Sequence, residues 1–379
     1  MPSAVAAAAT DHARDLDRLT AEIAGLEAGP GPQNAEDATR LVSCRVNRAS
    51  LSGDVGELRA AAAAVDVQLV RFGPWPDLCY LRASVHLKQH ELPEALRSLA
   101  AGEGLAGSPD GRAVRADVEV QLGRCGEARR AYERLASETG SWDMLARLAH
   151  FEAMLGDPTR AEELYADAAD EITAKELRSY AWVETERGRL HLRHGRLAEA
   201  ERHCERAAEA YSGHWVVERR LAEVRAAQGQ LDEAIALAEA CAERTGRPEL
   251  AQAVGDLLRR TGAGAEARAW HERALAGYLE SADLGEVQYL HHLAEHLTGV
   301  DGESTTAVLW AERDHALRPH FATEAALAWA LHVDGRRERA VALADRVLAS
   351  GASDPPLVAR MTAVQAGQGI IPVGGSGGR

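Results

Sequence analysis

The chain has 379 residues, of which 46% are hydrophobic and 27% charged, with a formal net charge of −15. That apolar fraction is enough for a folded chain, and the acidic surface disfavours nucleic acid and acidic membranes as partners, because both would repel it. No stretch approaches ~20 consecutive apolar residues, so a membrane span is excluded. In chain order, residues 1–35 read as an N-terminal tail and a capping helix. The tail is Ala-rich without a basic segment, so no signal peptide is expected and the cytoplasm is the expected location. Leu16, Leu19, Ile23 and Leu26 then fall on one helical face. Gly29-Pro30-Gly31-Pro32 separates that helix from the next segment. Residues 36–75 form a degenerate first repeat, with Gly53 and Leu58 in the places that Gly and Ala hold in the later repeats.

Residues 76–350 carry eight repeats. Gly followed by Ala five positions later recurs at Gly123/Ala128, Gly156/Ala161, Gly195/Ala200, Gly229/Ala234, Gly262/Ala267, Gly302/Ala307 and Gly335/Ala340. An eighth copy has His90 ahead of Ala95. Ala-to-Ala steps are 33, 33, 39, 34, 33, 40 and 33 residues, the period of a helix-turn-helix solenoid. The two long steps predict longer second helices or loops around Ala168–Leu177 and Ala276–Val287. Twelve positions before each Ala lies a second small residue: Ala83, Ala116, Ala149, Gly188, Ala222, Gly255 and Ala328, with Glu295 the exception. Small side chains at both places let two helices of a hairpin cross closely. Residues 351–379 read as a closing helix through Leu357, Met361 and Val364, then a Gly-rich tail expected to be flexible.

With Ala222, Gly229 and Ala234 at unit positions 8, 15 and 20, the chain resembles the tetratricopeptide repeat family over about Pro76 to Val347. The resemblance implies an all-α fold: a right-handed superhelical solenoid of stacked helix-turn-helix repeats that binds partners on its concave face. The stretches Ser212–Glu218, Gly285–His292 and Trp310–Leu331 look like a bacterial tetratricopeptide family of unassigned role, which supplies no activity.

Motifs for chemistry are absent. There is no nucleotide loop, nucleophile elbow, H-E-x-x-H or Cys/His zinc spacing, which makes an enzyme the less favoured reading. Five cysteines without a C-x-x-C pair argue against a disulfide framework. In the family, positions 2, 5, 9 and 12 of each unit point into the groove. Here these include Tyr80, Asp117, His150, Trp182, Thr185, Arg189, Arg219, Glu223, Asp256, Arg259 and Trp329, a set suited to a protein segment or a small ligand. Arg189, Arg219 and Arg259 map to one inner strip, which points to an acidic or carboxylate-bearing partner. His292 and His296 lie one helical turn apart, with His332 and Asp256 on neighbouring helices, a set that could hold a divalent transition metal or carry acid–base chemistry. The main expectation is therefore a groove-binding adaptor. A His-based metal or enzyme site and a sensor that changes curvature on binding peptide are the alternatives.

Overall fold

Helix pairs joined through small residues account for almost the whole molecule. The structure is a computed structural model that describes residues 9–368, the side chain of Asp301 excepted. Among the described residues lie twenty α-helices and no strand. They are α1 (Asp11–Glu27), α2 (Ala35–Ser52), α3 (Val55–Phe72), α4 (Pro76–Lys88), α5 (Leu92–Ala101), α6 (Pro109–Gln121), α7 (Cys125–Thr139), α8 (Trp142–Leu155), α9 (Pro158–Glu171) and α10 (Leu177–Arg193), followed by α11 (Leu197–Ala210), α12 (Trp215–Ala227), α13 (Leu231–Thr245), α14 (Pro248–Thr261), α15 (Gly264–Asp283), α16 (Leu290–His296), α17 (Ser304–Leu317), α18 (Phe321–Val333), α19 (Arg337–Ala349) and α20 (Pro355–Ala366). Helix α2 pairs with α3, and each hairpin from α4/α5 to α18/α19 holds one Gly/Ala signature or its His90/Ala95 variant. Helix α1 packs on α2 and α20 on α19. The Gly-rich tail from residue 369 onward lies outside the described residues. None of the described helices is long and apolar enough to cross a membrane.

The turns explain the glycines. Gly123, Gly195, Gly229, Gly262, Gly302 and Gly335 have φ between 70° and 84°, where a Cβ would be strained. His90 takes the same conformation at φ 61°, alone among the described non-glycine residues. Gly156 is small for another reason: its φ is −148°, and a Cβ there would stand 1.8 Å from Glu152 Oε2. The alanine at every tight crossing, from Ala95 to Ala340, is buried. At Gly188 a Cβ would lie 2.7 Å from Cys204 Sγ, and at Gly255 2.3 Å from the His271 ring.

The two long repeat steps have different causes. After Ala161, α9 gives way to a loop and to α10, a 17-residue helix. After Ala267, α15 extends to 20 residues. The short α16 then runs into a π-helical segment, Leu297–Asp301. A π turn adds a residue to a helix and shifts everything before it by one place. This accounts for Glu295: the buried residue of that stretch is its neighbour Ala294, 1% exposed.

The solenoid also closes on itself. The backbone N–H of His12 donates to Ser212 O at 3.1 Å, and that of Ser353 donates to Met154 O at 3.0 Å. Trp215 Nε1 donates to Leu51 O at 2.9 Å across 164 residues, and Arg247 Nη1 donates to Gly53 O at 2.9 Å across 194. Arg59 pairs with Glu286 at 3.0 Å. Arg318 Nη1 lies 3.2 Å from His90 Nε2, across 228 residues. Successive turns of the coil therefore touch.

Candidate functional site: the inner face of the coil

First helices touch one another from unit to unit, as in α2–α4, α4–α6, α8–α10, α10–α12 and α16–α18. They form the crowded inner row that positions the candidate side chains. In the early units Asp117 accepts from Tyr132 Oη at 2.7 Å and also from Arg147. His150 Nδ1 lies 3.1 Å from Arg189 Nη2 and 3.4 Å from Glu186 Oε2. Leu87, His90, Asp117, Arg147 and His150 line a cavity of about 350 Å³ whose far wall is Arg318, His320 and Phe321 from the last units. The enclosure comes from the chain's own C-terminal part.

The predicted arginine strip is not a row of free cations. Arg189 Nε donates to Glu186 at 2.9 Å, Arg219 Nε to Glu223 at 3.1 Å and Arg259 Nη2 to Asp256 at 2.9 Å. Each is held by a carboxylate one helical turn away. Asp256 also faces His271 Nε2 at 3.3 Å. Thr185 is buried, its hydroxyl donating to Ala181 O, and so takes no place on the inner surface. Trp182 is exposed. Trp329 packs against His332, ring centroids 5.4 Å apart, and beneath Arg360.

The set His292, His296, His332 and Asp256 is not brought together. His296 is buried in the wall, edge-on to His271 and Tyr278, with Nδ1 3.3 Å from Gln252 Oε1. His332 Nε2 meets Gln368 O at 2.8 Å near the C-terminal end. His291, His292 and Glu295 gather instead. The π segment is the cause, because the one-residue shift turns His291 and Glu295 inward and His296 into the wall.

The sequence profile of the family described as Tetratricopeptide repeat matches residues 113–175 and 185–248. Across 93% of its length the chain superimposes on a chain of the APC/C hetero-tetramer Cut9–Hcn1, with a TM-score of 0.51 and 12% identity. The chain is a tetratricopeptide-repeat protein. It spans 62% of that Cut9–Hcn1 chain, and the likeness is one of fold alone. Yeast Tom70 aligns with TM-score 0.40 and 13% identity over 93% of this chain and 92% of its own. PilF of Pseudomonas aeruginosa aligns with TM-score 0.39 and 20% identity over 56% and 92%. No curated protein sequence matches it.

Against the tetratricopeptide pattern, the electrostatics of the inner face single out residues that position counting did not. Lys88 is exposed to solvent, though protein surrounds its ammonium at longer range. Burial lowers its pKa, and the charged neighbours that reinforce the shift, Arg147 and Arg247, are both cations. Burial pushes His292 well below the usual histidine range, helped by His291, Arg219, Arg247 and Arg318. Glu223 is shared by Arg219 and Arg220; burial would raise it, but these cations hold it below the usual carboxylate range. Cations from five separate units thus converge on one interior. One signal in the sequence pointed there: Lys88 is one of two lysines in an arginine-rich chain.

Proposed function

We propose that this protein is a binding scaffold whose inner face takes an acidic, carboxylate-bearing protein segment or small ligand. The observation that carries the reading is Lys88, solvent-reached, facing Arg147 and Arg247, and with no carboxylate partner among the described residues. A cation flanked by other cations and without a carboxylate of its own gains from an anion more than a paired one would. Arg219 and Arg220, sharing one carboxylate, leave a second positive excess nearby. Tyr80, Asp117, His150, Trp182, Arg189, Glu223 and Trp329 would shape the contact, with Asp256 and Arg259 at its margin.

The test is a fluorescence-anisotropy titration of the full chain with acidic peptides and with neutral isosteres of the same length. Acidic peptides should bind more tightly, and Lys88→Ala and Arg219→Ala should each weaken binding by ~1–3 kcal/mol. Equal affinity for the neutral peptides, or indifference to both substitutions, would place the function elsewhere.

A further inference from the structure

Away from the inner face, the wall between the third and fourth repeats holds a polar cluster that packing alone does not explain. Glu162 of α9, His191 of α10 and His203 of α11 bring one ligand atom each to within 4.8 Å of one another. His191 Nε2 stands 3.4 Å from Glu162 Oε2, and His203 Nε2 stands 4.0 Å from Glu162 Oε1. The two imidazoles stack with centroids 4.9 Å apart. The side chains of both histidines are 7% exposed.

The deciding feature is what these atoms lack. Both nitrogens of His191 and Oε2 of Glu162 are buried with no hydrogen-bond partner. The contact between them is close but not aligned as a hydrogen bond. Buried polar atoms are almost always satisfied, and each one left bare is costly, so the two that face each other, His191 Nε2 and Glu162 Oε2, call for an occupant.

We propose that Glu162, His191 and His203 form a site for a divalent transition metal, zinc being the fitting ion. Two imidazoles and a carboxylate are a borderline-soft donor set, and a water would complete a tetrahedron. Ligand atoms around such an ion stand roughly 3–3.5 Å apart, so modest side-chain rotation closes the set. Outer partners are in place. His203 Nδ1 lies 2.9 Å from Glu184 Oε2 and 2.7 Å from Arg206 Nη2. A metal on Nε2 leaves the proton on Nδ1, where it donates to Glu184, the carboxylate–histidine–metal arrangement. Arg206 Nη2, which can only donate, must then turn away from the protonated Nδ1, and Arg206 keeps its bond to Glu184 through Nε at 2.7 Å. Arg187 holds Glu162 through Oε1, which leaves Oε2 for the ion. The cations Arg187 and Arg206 oppose a further positive charge, while Glu162 and Glu184 offset them. Bound there, the ion would tie three helices of two repeats together, stiffening the coil at its middle.

The experiment uses tag-free full-length protein stripped with chelator, loaded with zinc or cobalt(II), desalted and analysed for retained metal. Near one equivalent of zinc should remain, and cobalt should give the intense visible absorption of a four-coordinate site. His191→Gln and Glu162→Gln, near-isosteric changes, should lower retention at least tenfold, whereas His292→Ala should leave it intact. Less than about a tenth of an equivalent on the unaltered protein would overturn the proposal. So would retention unchanged in both Gln variants. Peptide affinity is measured separately on the same preparations, so loss of one property does not decide the other.

Discussion

His90 shows how much one residue can carry in a repeat protein. It stands where the other repeats place glycine, and it accepts the left-handed backbone at φ 61°. Its ring holds that position: Nδ1 meets Gln121 Oε1 at 3.0 Å and Nε2 meets Arg318 Nη1 at 3.2 Å. Left-handed backbone costs a residue with a Cβ roughly 1–2 kcal/mol, and glycine escapes that cost. His90→Ala keeps the strain and loses both bonds, whereas His90→Gly loses the bonds and the strain together. In urea denaturation the alanine variant should be less stable than the glycine variant by ~1 kcal/mol. Equal midpoints would show that the backbone at His90 is not strained. The same method checks the helix crossing. Ala234 is fully buried against its partner helix, so Ala234→Leu should overpack it and cost ~1–3 kcal/mol.

Among the elements, the segment from α16 to α17 departs furthest from the repeat, and its chemistry stems from its geometry. A π turn at Leu297–Asp301 puts Ala294 in the small buried place and His296 into the wall. His296→Ala should therefore destabilise the protein by ~1–3 kcal/mol through the cavity it leaves, while Gln252 Oε1 keeps its bond from Tyr278 at 2.9 Å. His332→Ala, at an exposed contact with Gln368 O, should change stability by less than ~0.5 kcal/mol. Similar losses for the two would contradict these different environments. The same segment shows where a repeat pattern stops being informative. Hairpins are legible in the sequence because Gly and Ala recur at fixed spacing, and each spacing reflects a steric need. The inserted residue is visible there only as a 40-residue step and a Glu in a small place, and both fit a longer loop equally well. Counting by repeat position assigns His296 to the groove, but the helix does not keep its count. Glu162, His191 and His203 come together across two repeats, from faces that the family pattern treats as packing, so no local motif announces them. Contacts such as Trp215 to Leu51 depend on the curvature of the whole array, to which single repeats contribute only small angles.

At the scale of the whole molecule, closure of the coil depends on a contact that acid should open. Arg318 can donate to His90 Nε2 only while that nitrogen carries a lone pair, so the contact needs neutral histidine. Burial, with Arg318 beside it, pushes His90 down to about 3, and burial with Arg318 and His90 does the same for His320. His291 faces both rings and His315 faces His320, so the neighbouring titratable groups only reinforce the resistance to protonation. The sign comes from linkage. An opened coil lets these rings return toward the ordinary value near ~6.5, so the open state binds protons that the closed state refuses. Closure is fully favoured above ~6.5 and is lost progressively as pH falls toward the depressed values. Asp314 stays bound to Arg318 at 2.7 Å, so the guanidinium keeps its place and repels the charged ring. Small-angle scattering between pH ~7.5 and ~4.5 should show the radius of gyration rising, with hydrogen exchange increasing first at the α4–α5 turn and at the α17–α18 turn. His90→Asn tolerates left-handed backbone and cannot titrate, so its acid expansion should be markedly smaller. A coil of constant dimensions across that range, or equal expansion in the Asn variant, would show that closure rests on the Trp215 and Arg247 contacts instead.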